Sequence, residues 1–327
     1  MFRHMPMAKE INNHKRSLLI LTGFTCNNNC VICSIKGKEK GNPDRTFREI
    51  VEDLRRGAED GYEDVEFTGG EPTIRGDIAD LTREAVKLGY RTIALSTNGR
   101  LFSYERFRDR IIAAGLNKVT FSLLGPTEKI HDAVTRTPGA FRQITAGIKN
   151  LRKNKNVRVS ISSVISRLNY KNLPDFGKFI VHLGVKRWYL LDLIPDGNAR
   201  FFYPHLAVRL EDLYNELGGL KEMAGHFDEL GFFDFPLCLF EQEFRNEKNT
   251  VFINAKKRAD TSRQVGYDPK RVSADKNGKY RDVYRVNVGI CGRCRYYKEC
   301  GGIWKEYLDM HGEKEVSDLA AKNKCLI

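Results

Sequence analysis

The sequence predicts an α/β protein built on a parallel sheet, and two observations carry that prediction. Between Ser17 and Ile194, six short apolar runs alternate with five stretches that place apolar residues at helical spacing. Apolar strands alternating with amphipathic helices pack as parallel strands joined by right-handed crossovers. The second observation is where the unusual residues fall. Three cysteines, the run Gly69-Gly70-Glu71, the turn Thr97-Asn98-Gly99 and Gly125 all come directly after strands. They therefore share the carboxyl edge of one sheet, which is the active face of parallel α/β folds. Six such strands either lie open or curl into part of a barrel, and periodicity does not choose between the two.

The first strand, Ser17–Phe24, holds the apolar run Leu18–Leu21 and leads into the cysteine loop. Helix Asp44–Gly61 follows, with Phe47, Ile50, Val51, Leu54 and Ala58 on one face. Strand Asp64–Thr68 ends at Gly69-Gly70-Glu71-Pro72, and helix Asp77–Leu88 leads to strand Arg91–Ser96. Helix Tyr104–Ala114 precedes strand Lys118–Leu124, helix Ala140–Lys153 precedes Val157–Ile165, and helix Leu173–Leu183 precedes Val185–Ile194. After Pro195-Asp196-Gly197 the alternation is expected to stop. A helix at Leu210–His226, an aromatic-rich stretch Gly231–Phe240 and a final helix Ile303–Met310 are expected beyond it. Between them, Lys276-Asn277-Gly278-Lys279 separates two extended runs, Arg271–Ala274 and Tyr280–Val288, which is a hairpin signal. The expected division is an amino-terminal arm at residues 1–16, an α/β unit at 17–195, a connecting helical segment at 196–235 and a smaller cysteine-bearing module at 236–327.

A chain of 327 residues with 41% hydrophobic content can bury a sizeable core, which excludes a disordered protein. No apolar run approaches the roughly 18 to 20 residues that cross a bilayer. Met1–Arg16 is basic and polar and is not followed by a signal-type apolar region, so a cytoplasmic location is expected. Eight cysteines, most of them in tight groups, read as metal ligands rather than as a disulfide framework. The net charge of +13 points to an anionic partner or substrate, and in Glu241–Cys300 fifteen Lys and Arg face eight Asp and Glu.

Cys26-Asn27-Asn28-Asn29-Cys30-Val31-Ile32-Cys33 places three thiols within eight residues. Three cysteines do not complete four-coordination of iron or zinc, so either a distant ligand closes a zinc site or one position stays open for a small molecule. Those residues, with Gly-Gly-Glu-Pro after the second strand, resemble the radical S-adenosylmethionine (SAM) enzymes. The resemblance spans about Ser17–Pro195 and implies a partial (β/α)6 barrel of the TIM type. It departs at Ile32, where many members carry an aromatic residue. It implies that Cys26, Cys30 and Cys33 hold a [4Fe–4S] cluster whose fourth iron is chelated by SAM. By the same resemblance, Glu71 accepts from the SAM amino group beside Gly69 and Gly70. Ser96, Asn98 and Ser122 would meet the ribose or carboxylate, and Arg136 is the candidate for a charged contact to the carboxylate.

Cys291-x2-Cys294-x5-Cys300 repeats three thiols at ligand spacing. It resembles the auxiliary-cluster module of the SPASM or twitch type, which implies a second [4Fe–4S] cluster on Cys238, Cys291, Cys294 and Cys300. Cys325 would replace Cys238 or serve as a hydrogen-atom donor; a zinc ribbon is the alternative for this group. The implied function is hydrogen abstraction from a substrate, with a peptide or protein favoured and a flavodoxin or ferredoxin type of electron donor as partner. The alternatives are a nucleotide or cofactor precursor held by Lys256-Lys257-Arg258 and Lys270-Arg271, or transfer RNA stacked on Tyr267, Tyr280, Tyr284, Tyr296 and Tyr297. From a different class, a metal-stapled protein that binds nucleic acid without catalysis fits the same cysteines and charge.

Overall fold

The structure is a computed structural model that describes residues 17–254, 262–266, 272–274, 280–282 and 284–327. The arm Met1–Arg16, the cations Lys256-Lys257-Arg258 and Lys270-Arg271, Tyr267 and the Lys276–Lys279 turn lie outside the described residues.

All six expected strands form. They are β1 (Ser17–Leu21), β2 (Asp64–Thr68), β3 (Thr92–Thr97), β4 (Lys118–Ser122), β5 (Arg158–Val164) and β6 (Arg187–Leu191). Each pairs in parallel with the next, so sequence order and spatial order coincide. The helices between them include α1 (Phe47–Glu59), α2 (Ile78–Lys87) and α3 (Glu105–Ala113), and together with the strands they make a curled half-barrel. Helix α1 starts where Thr46 and Glu49 close a reciprocal capping box, and it buries Ile50, Val51 and Leu54 against the sheet. Trp188, Phe67 and Phe121 are among the largest fully buried side chains, each of a size that contributes about 1.5–3 kcal/mol on burial.

Two helices, α4 (Glu128–Thr135) and α5 (Ala140–Arg152), connect β4 to β5 where one was expected. The signal was present: the Thr127 hydroxyl accepts from the Ile130 amide, and Ile130 and Val134 stand one turn apart. Helix α6 (Leu173–His182) then leads to β6 as expected.

The sheet continues beyond residue 195. Helices α7 (Asn198–Leu206) and α8 (Leu210–Gly218) carry the chain to β7 (Glu229–Phe233), which pairs in parallel with β6. Strand β8 (Thr250–Ile253) follows beside β7, while β9 (Ser262–Val265) pairs with β1 at the opposite edge. Among the described residues nine parallel strands result, drawn also from the expected connecting segment and carboxyl-terminal module. Strand β7 was hidden by Gly231, a poor strand former that is needed because a Cβ there would stand 2.6 Å from the Tyr189 ring. The expected helix Leu210–His226 ends early, at the pair Gly218-Gly219.

Strand β10 (Val272–Ala274) pairs antiparallel with β11 (Tyr280–Asp282). Strands β12 (Arg285–Val286) and β13 (Ile303–Trp304) pair around the second cysteine loop, and helices Lys305–His311 and Lys314–Lys322 follow. Among the described residues no helix is long and apolar enough to cross a membrane.

Candidate active site

The first cysteine loop is held from four sides. From the β2 side, the Gly70 amide donates to the Gly23 carbonyl at 2.8 Å and the Glu71 amide donates to the Thr25 carbonyl at 2.9 Å. A Cβ on Gly70 would sit 2.1 Å from that Thr25 oxygen, and one on Gly69 would sit 2.7 Å from the Gly23 oxygen. The paired glycines thus let two backbone loops meet. From α4, the carbonyls of Thr135 and Val134 accept from Asn29 and Val31. From the segment after β6, Asn198 Nδ2 donates to the Cys30 carbonyl at 3.1 Å and the Ala199 amide donates to the Cys33 carbonyl at 3.3 Å. Arg100, after β3, donates through Nη1 to the Asn27 carbonyl and to Asn28 Oδ1, and its Nε binds Gln143 at 2.6 Å.

Glu71 lies at the junction of two of these loops, only 3% exposed. Its Oε1 accepts from the Thr73 amide at 3.0 Å, the Thr73 hydroxyl at 2.5 Å and the Thr97 hydroxyl at 2.6 Å, while Oε2 accepts from the Asn98 amide at 2.7 Å. Burial pushes its carboxyl above the ordinary value, against the pull of these donors. Asn98 in turn donates through Nδ2 to Asn27 Oδ1 at 2.7 Å and reaches Cys26 Sγ at 3.9 Å.

These loops enclose a cavity of about 490 Å³, large enough for a cofactor-sized ligand. Cys26, Cys30 and Cys33 line it together with Gly69, Gly70, Glu71, Ser96, Asn98 and Ser122. Arg136 does not line it. That residue is exposed at the carboxyl cap of α4 with φ 51°, its side chain outside the site. Sequence reasoning missed Ser162, Lys38, Asp196 and Gln264, which line the cavity, and Arg100, which braces the loop. Ser162 had a legible signal: it stands directly across from Ser122 on the neighbouring strand, so both hydroxyls face inward. Lys38 and Asp196 meet as an ion pair at the rim, a contact between positions far apart in sequence.

Burial pushes the Cys26 thiol up to about 11 and Cys30 further still, and the charge of Cys33 adds to the rise at both. The metal-free Cys26 and Cys30 thiols are thus protonated near neutral pH, and a metal binding there must displace those protons. Three donors already point at sulfur: the Asn28 amide to Cys26 at 3.3 Å, the Lys36 amide to Cys33 at 3.3 Å and the Asn98 side chain. Such donors favour the thiolate and tune an iron–sulfur centre. Three soft ligands, sulfur-directed N–H groups and adjoining cavity space fit a cluster with one unfilled position.

A family profile described as the Radical SAM superfamily matches residues 20–180, the span that carries the cysteine loop, Glu71 and strands β2 to β5. The chain belongs to that superfamily. It is 26% identical over 295 residues to an AdoMet-dependent heme synthase of Nitratidesulfovibrio vulgaris, covering 76% of this chain and 75% of the relative. It is 29% identical over 206 residues to a probable GTP 3′,8-cyclase of Saccharolobus islandicus, covering 63% and 66%. The fold is similar to that of Streptococcus suis SuiB bound to S-adenosylmethionine, with a TM-score of 0.54 at 16% identity over 73% of this chain and 50% of SuiB. As a radical SAM enzyme, the protein has a family that implies a [4Fe–4S] cluster and SAM.

The remaining five cysteines lie outside the span matched by the family profile. Cys238, on the turn Leu237–Leu239, is buried, and the charges of Cys300, Cys325, Cys291 and Cys294 all bear on it and raise its pKa beyond what burial does. The Cys325 carbonyl accepts from the Arg295 amide at 2.8 Å, and Leu326 bridges to Cys294. Cys325 is 0% exposed and absent from the cavity lining, so its expected role as a hydrogen-atom donor to substrate does not fit its place. Among the described residues, no three His, Cys, Asp or Glu side chains are drawn together tightly enough to hold a single metal ion. Of the tyrosines considered for stacking, Tyr296 packs under the Arg245 guanidinium at 3.8 Å, and Tyr297 is exposed.

Proposed function

We propose that this radical SAM enzyme holds a [4Fe–4S] cluster on Cys26, Cys30 and Cys33 with SAM at the fourth iron, and removes a hydrogen atom from a peptide or protein substrate. The observation that carries the reading is the meeting of three thiols and the buried Glu71 on one cavity. When bound and reduced, the cluster and SAM supply carbon–sulfur cleavage and a carbon radical that takes the hydrogen atom. The protein's part is to bind and orient. Glu71 Oε2 has one described donor, the Asn98 amide, and keeps acceptor capacity for the SAM amino group. Ser96, Ser122 and Ser162 offer hydroxyls to the ribose and carboxylate, and Ile32, Leu124 and Val164 supply an apolar wall against water.

A second [4Fe–4S] cluster on Cys291, Cys294, Cys300 and either Cys238 or Cys325 completes the reading, supported by the bearing of the other four thiol charges on Cys238 and of Cys294 and Cys300 on Cys325. A flavodoxin or ferredoxin type of donor would deliver the electron. The peptide class is supported by SuiB, whose structure has also been solved with its precursor peptide SuiA. A second reading, a small anionic cofactor precursor or nucleotide, is supported by the names of the heme synthase and the cyclase and by the +13 charge.

Anaerobic reconstitution tests the core of the proposal. About eight irons with equal sulfide per chain, and 5′-deoxyadenosine formed on reduction with SAM, are expected; zinc without sulfide would sink it. Deuterium transfer from labelled candidate substrates into 5′-deoxyadenosine separates the two substrate classes.

A further inference from the structure

The second cysteine loop, Cys291–Cys300, is bracketed by β12 on one side and β13 on the other, with Arg285 directly opposite Trp304. Both residues converge on one oxygen. Arg285 Nη2 donates to Asp192 Oδ2 at 3.0 Å, and Trp304 Nε1 donates to the same Oδ2 at 2.6 Å. The guanidinium also lies over the Trp304 ring, 3.6 Å from its centroid, and donates through Nη1 to the Gly302 carbonyl at 3.0 Å. The pair is well buried, with side-chain exposures of 2% for Arg285 and 17% for Asp192. Asp192 itself follows β6 directly, its amide donating to the Phe233 carbonyl of β7 at 2.9 Å.

The chain from Asp192 runs straight to the first cysteine loop. Ile194 and Asp196 line the main cavity, and at Gly197 a Cβ would stand 2.6 Å from the Ser34 backbone. Asn198 and Ala199 then bind the carbonyls of Cys30 and Cys33. One eight-residue segment, Asp192–Ala199, thus touches the flanks of the second loop at its start and the backbone of the first at its end.

We propose that Asp192 is a positioning residue for the second cysteine site. Its carboxylate clasps both ends of the Cys291–Cys300 loop onto the barrel, and its segment sets the placement of that site relative to the first. The proposal rests on the second-cluster reading. A carboxylate suits the task because it accepts from a cation and an indole N–H at once and offers two lone pairs on each oxygen.

The test uses the full chain carrying Cys26→Ala, Cys30→Ala and Cys33→Ala, which leaves the second group as the cysteine cluster site. Reconstituted anaerobically, this background is expected to hold about four irons with equal sulfide. Adding Asp192→Asn is expected to lower bound iron to less than half and to change the electron paramagnetic resonance g-values of what remains. Trp304→Phe, which removes only the N–H, is expected to act in the same direction more weakly. Arg209→Leu is the control. It breaks another contact of the carboxyl-terminal region, Arg209 Nε to Glu315 Oε1 at 2.6 Å, without touching the bracketing strands, and is expected to keep iron and spectrum. Equal loss or equal retention in Asp192→Asn and Arg209→Leu overturns the positioning role. A background without iron and sulfide overturns the second-cluster reading and the proposal with it.

Discussion

The two cysteine sites are built on opposite plans. The first takes Cys26, Cys30 and Cys33 from a single loop, whose backbone is gripped by the β2 turn, by α4, by Arg100 and by the segment after β6. Its thiols face a cavity of about 490 Å³. The second collects thiols from a turn at Cys238, the Cys291–Cys300 loop and the tail at Cys325, with Cys238 and Cys325 buried among them. A site that must admit and release a ligand needs rigid walls around open space, whereas one that only holds a metal can be assembled from distant pieces and closed over. On the proposed reading, the difference separates a centre for chemistry from one that serves it.

The largest expected effect breaks the two sites apart. Cys30→Ala should remove the iron of the first site and reduce 5′-deoxyadenosine formation to background, while Cys294→Ala should remove the iron of the second and leave substrate-free SAM cleavage in place. Iron analysis and chromatography of the nucleoside check both. Next in size, Gly70→Ala forces a Cβ against the Thr25 oxygen and should cost about 1–3 kcal/mol of stability along with the first site's iron. Thermal unfolding and iron content report it. Glu71→Gln keeps the shape but turns an amide N–H toward the Asn98 N–H, a buried mismatch of about 1–3 kcal/mol. SAM affinity, measured by equilibrium binding to the reconstituted protein, should fall by about tenfold or more.

The smallest effect concerns the clasp. Burial, opposed by Arg285 and Trp304, pushes the Asp192 carboxyl up to about 6 from its ordinary value of 3.8. A group raised in the folded state contributes stability that is fully present below its unfolded value and is lost as pH rises through the folded one. The stability advantage of the native chain over Asp192→Asn should therefore shrink between pH 4 and pH 7, as followed by denaturant unfolding. An advantage constant across that range would show that Asp192 titrates as an ordinary carboxyl.

Much of the first site was legible because its residues are consecutive. A strand followed by three cysteines, and another followed by Gly-Gly-Glu-Pro, announce their own edge of the sheet, and six parallel strands followed from alternation alone. Arg136 misled because a cation near a predicted site carries no sign of which way its helix cap turns it. Strand β7 was invisible because Gly231 breaks the strand pattern to make room for Tyr189, and β9 because it joins the sheet across its whole width, beside β1.

By itself, then, the sequence determined the local chemistry: which thiols form the first group, which loop faces them and how the strands alternate. Only the tertiary structure decided what crosses those local units. It placed Lys38 against Asp196, Arg100 beneath the cysteine loop, and Asp192 between Arg285 and Trp304. The physical reason is range. Periodicity and turn chemistry act over a few residues, while ion pairs and thiol clusters join positions that only the finished packing brings within reach.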